Sequence, residues 1–194
     1  MSEEFVKRYK AGAGASINLE SLPPEASEAK DIAMGQYMDS FGKLEFAIKI
    51  AIQEILQVDY KVMGSIFATL MTKQSIDLLE AVASERLNDE GQRKFKDICA
   101  KLSRRNRKRN HIVHGAWVQS VIIRDDSVTQ EWVRTYQHID PKLRNIPHDD
   151  PRVLGQYCFS IPELKRATDH VEQANRMLSE LTAEINSYRA PTVG

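Results

Sequence analysis

Met34, Phe41, Ile48 and Ile55 recur at every seventh position, with Tyr37, Leu44 and Ala51 between them, so one apolar stripe runs through this part of the chain. A repeat of this period fits a helix that packs along its length against a neighbour. Pro23 and Pro24 mark its entry, because proline is tolerated in a first helical turn, and the pattern ends near Val58. Val62, Ile66, Leu70, Leu78, Leu79 and Val82 predict a second helix over residues 60–86. Asn88 is placed to cap a third, with Asp89 and Glu90 in its first turn and Gly115 as its stop.

After that glycine the period changes. Residues 117–123 and 128–136 are β-prone runs on either side of Arg124-Asp125-Asp126-Ser127, which predicts a β-hairpin. Pro141, Pro147 and Pro151 make residues 138–155 an irregular loop. Ser160 is a candidate cap for a last helix, with Pro162 in its first turn and Glu163 following. Along that helix Leu164, Val171, Leu178 and Ile185 repeat at seven, as do Ala167, Ala174, Leu181 and Tyr188. Two heptad helices at opposite ends of one chain are most simply antiparallel neighbours. The expected fold is therefore all-α, a bundle of about four to five helices with an inserted β-hairpin and loop at about 116–160.

Length and composition narrow the class. The 194 residues suffice for one domain, expected over 21–190, and the small-residue run Ala11-Gly12-Ala13-Gly14-Ala15-Ser16 makes residues 1–20 a candidate flexible arm. With 42% hydrophobic and 28% charged residues and a formal net charge of zero, the chain reads as a soluble globular protein without a basic coat. Cys99 and Cys158 stand apart, without CxxC or Cys/His spacing, so neither a disulfide framework nor a zinc site is indicated. The start Met1-Ser2-Glu3-Glu4 carries no apolar core of a signal peptide, and the apolar stretch from Phe46 to Leu56 is broken by Lys49, Gln53 and Glu54. The cytosol is the expected compartment, with no membrane partner.

Against that neutral background one segment stands out. Between residues 93 and 109 the cations are Arg93, Lys94, Lys96, Lys101, Arg104, Arg105, Arg107, Lys108 and Arg109, with Asp97 as the one carboxylate. Such asymmetry points to an anionic partner, with a phosphate-bearing ligand the natural candidate for Arg104, Arg105, Arg107, Lys108 and His111. A run of this kind on a helix is more often just a solvated face, so helical phase matters. At roughly 100° per residue, Phe95, Ile98, Cys99, Leu102 and Val113 form the buried stripe. Lys101, Arg104, Arg107, Lys108 and His111 lie off it, whereas Asn106 and Arg109 fall in its middle. An unpaired charge there costs several kcal/mol, so Arg109 requires a buried acidic partner, a cleft or a subunit interface. Glu45, beside Leu44 on the first helix, is a candidate for that partner or an exposed helix residue.

Arg109-Asn110-x-x-x-His114, within the string Arg-Asn-His-Ile-Val-His-Gly-Ala-Trp, resembles the Arg-x(4–6)-His signature of the HEPN superfamily (higher eukaryotes and prokaryotes nucleotide-binding). The helical organisation over most of residues 24–188 is similar to that family as well. The resemblance implies a helical bundle and a homodimer that juxtaposes two motifs in a composite cleft. It also implies a metal-independent endoribonuclease without cofactor, acting as a toxin or defence effector beside an antitoxin or regulatory protein. Arg109, Asn110 and His114 would be its catalytic residues. Arg105-Asn106 with His111 also satisfies the loose spacing, but His111 points away from the stripe, which favours the first assignment. Toxins of this family paired with a nucleotidyltransferase often carry Tyr two residues after the His, where this chain has Ala116, so regulation through that Tyr is not implied.

The residue types suit the chemistry. RNA carries its own nucleophile in the 2′-hydroxyl, so cleavage needs proton transfer and a cation for the phosphorane charge. An imidazole, which titrates near pH 6.5, serves the first at His114, and the planar fork of Arg109 serves the second. Asn110 lies about 40° from His114 around the helix and is placed to orient the imidazole or substrate. The alternatives are a non-catalytic HEPN-like module that binds nucleotide, RNA or protein, and a structural imidazole at a helix end. A metal enzyme is disfavoured, because no carboxylate cluster is evident and Asp149-Asp150 reads as turn chemistry.

Overall fold

The structure is a computed structural model and describes residues 24–124, 127–135 and 158–189. The arm expected over 1–20 and the loop over 138–155 lie outside the described residues. Helices dominate: α1 (Pro24–Leu56), α2 (Tyr60–Phe67), α3 (Thr72–Arg86), α4 (Asp89–Val113) and α5 (Ile161–Ala183), followed by a 3-10 turn at Ile185–Tyr188. Three strands, β1 (Ala116–Arg124), β2 (Ser127–Thr135) and β3 (Cys158–Ser160), complete the described elements. No helix among the described residues is long and apolar enough to cross a membrane.

Local chemistry sets the ends of these helices. α1 stops where Gln57 takes a left-handed φ of 55°, a conformation in which a helix cannot continue. The Asp59 carboxylate then accepts the Lys61 N–H at 2.8 Å and caps α2. The single helix expected over 60–86 is in fact two. The Thr69 hydroxyl donates to the Ile66 carbonyl at 2.9 Å, drawing the backbone out of the helix, and Gln74 Oε1 accepts the Met71 N–H at 2.8 Å to start α3 afresh. Asn88 caps α4 as the sequence implies, accepting the Gly91 N–H at 3.0 Å. At α5, Ser160 N–H donates to Glu163 Oε2 at 2.8 Å while Ser160 Oγ accepts the Glu163 N–H at 3.4 Å, a reciprocal capping box.

The chain divides into two compact units, one of residues 1–35 and 110–166 and the other of 36–109 and 167–194, so α1, α4 and α5 each contribute to both. The first unit holds the sheet. β1 pairs antiparallel with β2 from Ala116↔Thr135 to Arg124↔Ser127, the expected hairpin. β3 adds a third strand, Val133↔Ser160 to Thr135↔Cys158, which three residues are too few to announce by alternation.

The second unit holds the main core. Tyr37, Phe41, Leu44, Ile48, Ile52 and Ile55 of α1 are buried, as are Ile76 and Leu79 of α3, Phe95, Ile98, Cys99 and Leu102 of α4, and Val171 and Leu178 of α5. Each large apolar side chain removed from water contributes about 1.5–3 kcal/mol. Within this unit the two heptad helices run in the same direction, against the antiparallel expectation. Ser40 Oγ donates to Glu172 at 3.0 Å, and further along both segments Arg189 donates to the Glu54 carbonyl at 2.9 Å. α4 is the antiparallel neighbour of α5, as Lys101 against Met177 and Lys94 against Tyr188 show. A heptad stripe fixes which face is buried and is blind to direction.

Candidate nucleic-acid interface

α4 carries the motif, and its buried line follows the predicted phase through Phe95, Ile98, Cys99 and Leu102. The line continues through Asn106, which is only 7% exposed, so the polar interruption of the stripe is real. Ile112, not Val113, is the fully buried residue of the last turn, while Val113 is half-buried. That turn belongs to the first unit, whose neighbours differ from those that set the phase upstream. Arg104 and Arg107 are exposed, as a solvated face requires, whereas Arg105, Lys108, Arg109, Asn110 and His111 are half-buried. His114 is exposed, in the turn after the helix, and its backbone N–H donates to the Asn110 carbonyl at 3.1 Å.

In the second unit, Arg109 sits against α1. Its guanidinium carbon lies 5.6 Å from the centre of the Phe41 ring, a cation–π contact that gives the charge an apolar yet electrostatically favourable seat. Phe41 in turn packs on Tyr37, with ring centres 6.2 Å apart. Burial pushes the Tyr37 phenol well above its ordinary pKa, while the nearby Arg109 and Arg105 pull it down less strongly, so the ring stays neutral. Arg105, one turn before Arg109, has its Nε shut off from solvent and without a hydrogen-bond acceptor among the described residues. Glu45 is half-buried and accepts a hydrogen bond from the Thr72 hydroxyl, an anchoring role for the start of α3 that the sequence did not suggest.

In the first unit, the end of α4 is held by a residue that sequence reasoning missed. Arg134 of β2 donates Nε to the Ile112 carbonyl at 2.7 Å and Nη2 to the Val113 carbonyl at 2.9 Å. These are two of the carbonyls a helix end leaves without internal partners, and a cation there also meets the negative end of the helix dipole. Trp117 of β1 lies under the same guanidinium at 5.6 Å, and partial burial lowers the Arg134 pKa from its ordinary value. The only sequence signal was one arginine in a β-prone run. Pairing Trp117 with Arg134 in the hairpin register is what aims it at the helix end.

Of the expected site, the structure gathers Arg105, Asn106 and Arg109 in the second unit with Tyr37 and Phe41. Asn110, His111 and His114 fall in the first unit with Arg134, and the division passes between Arg109 and Asn110 within one continuous helix. Among the described residues no group of three His, Cys, Asp or Glu side chains is placed to hold a metal ion, and Asp149-Asp150 lies outside them. No family model, curated protein or solved structure matches this chain.

Proposed function

We propose that the protein is a metal-independent endoribonuclease of the HEPN type, a homodimeric toxin or defence effector that cleaves RNA by attack of the 2′-hydroxyl. The observation that carries this reading is the seat of Arg109. A permanently charged guanidinium lies half-buried in the apolar stripe of α4, over Phe41. That seat fixes a planar fork at one place on α4, which suits it to hold phosphate oxygens. The fixed end of the same helix, held by Arg134, supports His114 just beyond it.

In this reading His114 takes the proton from the 2′-hydroxyl or delivers one to the leaving oxygen. The 2′-oxygen forms a bond to phosphorus as the bond from phosphorus to the 5′-oxygen breaks, leaving a 2′,3′-cyclic phosphate and a 5′-hydroxyl. Arg109 stabilises the extra negative charge on the phosphorane, and Asn110 orients the imidazole or the substrate. Arg109 and His114 are five positions apart, about 140° around an ideal helix. A second copy of the chain, contributing its own motif to a shared cleft, brings complementary groups to one phosphate. Arg104, Arg107, Lys108 and His111 carry the RNA backbone beside it.

The test is cleavage of total RNA and of a matching DNA by the purified protein, with and without EDTA. RNA is expected to be cut in EDTA with 2′,3′-cyclic ends while DNA survives. His114→Ala is expected to cost at least about 10²-fold in rate, and Arg109→Lys to fail as well because an ammonium lacks the fork. Undiminished cleavage by a clean His114→Ala preparation eliminates the assignment, and binding without cleavage by the wild type makes the protein a binding module instead.

A further inference from the structure

The face of α1 turned away from the core carries a second stripe. Asp39, Lys43, Phe46, Ala47, Ile50 and Glu54 fall within about 60° of Lys43 at roughly 100° per residue. They line one side of an open groove of about 950 Å³ in the second unit, with Thr182 of α5 and Ile185 of the 3-10 turn on the other. Phe46 stands at its rim and is 57% exposed. On their other flank Phe46 and Ile50 border a smaller hollow beside Tyr60, itself 66% exposed. Aromatic side chains kept in water around a groove mark a surface that is covered by something else. A knob beside its own socket is also what a two-fold interface needs, because there each patch both gives and receives the same residues.

We propose that this face of α1 binds the same face of a second copy of the chain, with the two α1 helices antiparallel and Lys43 of each opposite Glu54 of the other. The charges select both occupant and direction. Lys43 and Glu54 are eleven positions apart, about 20° from one line along the helix, and so sit on one face at opposite ends of the apolar residues. An antiparallel copy joins them twice, whereas a parallel one sets Lys43 against Lys43 and Glu54 against Glu54. Among the described residues no salt bridge reaches Glu54, and the exposed Lys43 pairs with Asp39 at 2.6 Å, a contact that water leaves weak enough to be shared. The midpoint of Lys43 and Glu54 is also that of Ala47 and Ile50, so the register that joins the charges sets a large side chain against a small one. Phe41, on which Arg109 sits, is about 160° from Lys43 around α1, so this face is separate from the motif and independent of the ribonuclease reading.

Sedimentation equilibrium of the full chain at tens of micromolar tests it, with circular dichroism to confirm that each variant is folded. Phe46→Glu, at an exposed position, is expected to halve the mass of the wild-type particle. Lys43→Glu and Glu54→Lys each place like charges opposite one another twice in the pair, so each alone is expected to associate at least about tenfold more weakly. Mixed in equal amounts, these two variants are expected to pair with each other at close to wild-type strength, because every facing position then joins opposite charges. A mixture no more associated than its components overturns the proposal, as does a mass unchanged by Phe46→Glu. A monomeric wild type at that concentration overturns it too and assigns the groove to a different occupant. A mass that falls from four chains to two leaves the motif pair of the ribonuclease reading in place beside this face, and a fall from two chains to one keeps this face and removes that pair.

Discussion

Replacing Arg134 with Ala tests whether the end of α4 is held by the sheet. The substitution deletes hydrogen bonds of 2.7 and 2.9 Å to the Ile112 and Val113 carbonyls and the contact at 5.6 Å with Trp117. A hydrogen bond from a charged donor contributes about 1.5–3 kcal/mol when both groups are dry. Arg134 is half-buried and the freed carbonyls rehydrate at a helix end, so the lower end of that range applies to each bond. The helix dipole adds about 0.3–1 kcal/mol and the ring about 0.5–1 kcal/mol, offset by the desolvation that also lowers the Arg134 pKa. The net loss is about 2–3 kcal/mol, or about 4–12 °C in Tm for a chain of this size. Far-UV circular dichroism during heating measures it. Arg134→Lys keeps the charge but reaches one carbonyl at a time, so it is expected to recover about half of the loss. A Tm within about 1 °C of wild type for Arg134→Ala refutes the reasoning. Below the transition, RNA cleavage by Arg134→Ala is expected to fall further than the unfolded fraction explains, because the released turn is the one that carries His114.

Other substitutions probe separate parts of the argument. A Cβ at Gly91 would meet Tyr188 Cβ at 2.6 Å and Leu87 Cβ at 3.0 Å, so Gly91→Ala is expected to destabilise by about 1–3 kcal/mol in urea unfolding. In a Tyr188→Ala background the same change is expected to cost much less, and an equal cost in both backgrounds would place the clash elsewhere. Burial pushes the Cys99 thiol up to about 12, so peptide-resolved alkylation near pH 8 is expected to spare Cys99 until the protein unfolds. Because its folded pKa lies above the unfolded value near 8.5, this group's contribution to stability is intact below that pH and is lost as the pH climbs towards the folded value. Arg104→Ala and Arg107→Ala, both at exposed positions, are each expected to reduce the salt dependence of RNA binding by about one unit of slope. A slope that stays the same in both removes this face from the RNA surface.

What the sequence determined by itself was periodic. Heptad spacing located α1 and α5, the Asn88 and Ser160 caps marked where α4 and α5 begin, and two β-prone runs around a turn placed the hairpin. Phase also identified Asn106 and Arg109 as polar residues inside an apolar stripe, because burial on a helix follows angle and angle follows residue number. The break between α2 and α3 was invisible to this reasoning, since a threonine hydroxyl competing for one carbonyl leaves the apolar pattern unchanged. Direction was invisible too: α5 presents the same stripe to α1 whether it runs up or down, and only the antiparallel placement of α4 against α5 decided that it runs alongside. The partners of the motif were equally tertiary. Phe41 beneath Arg109 is 68 residues away in the chain and Arg134 meets Ile112 across a separation of 22, so each pairing depends on how α1 or β2 packs on α4. Local composition specifies which residues seek burial or charge, and the long-range packing of the folded chain selects the atoms that satisfy them.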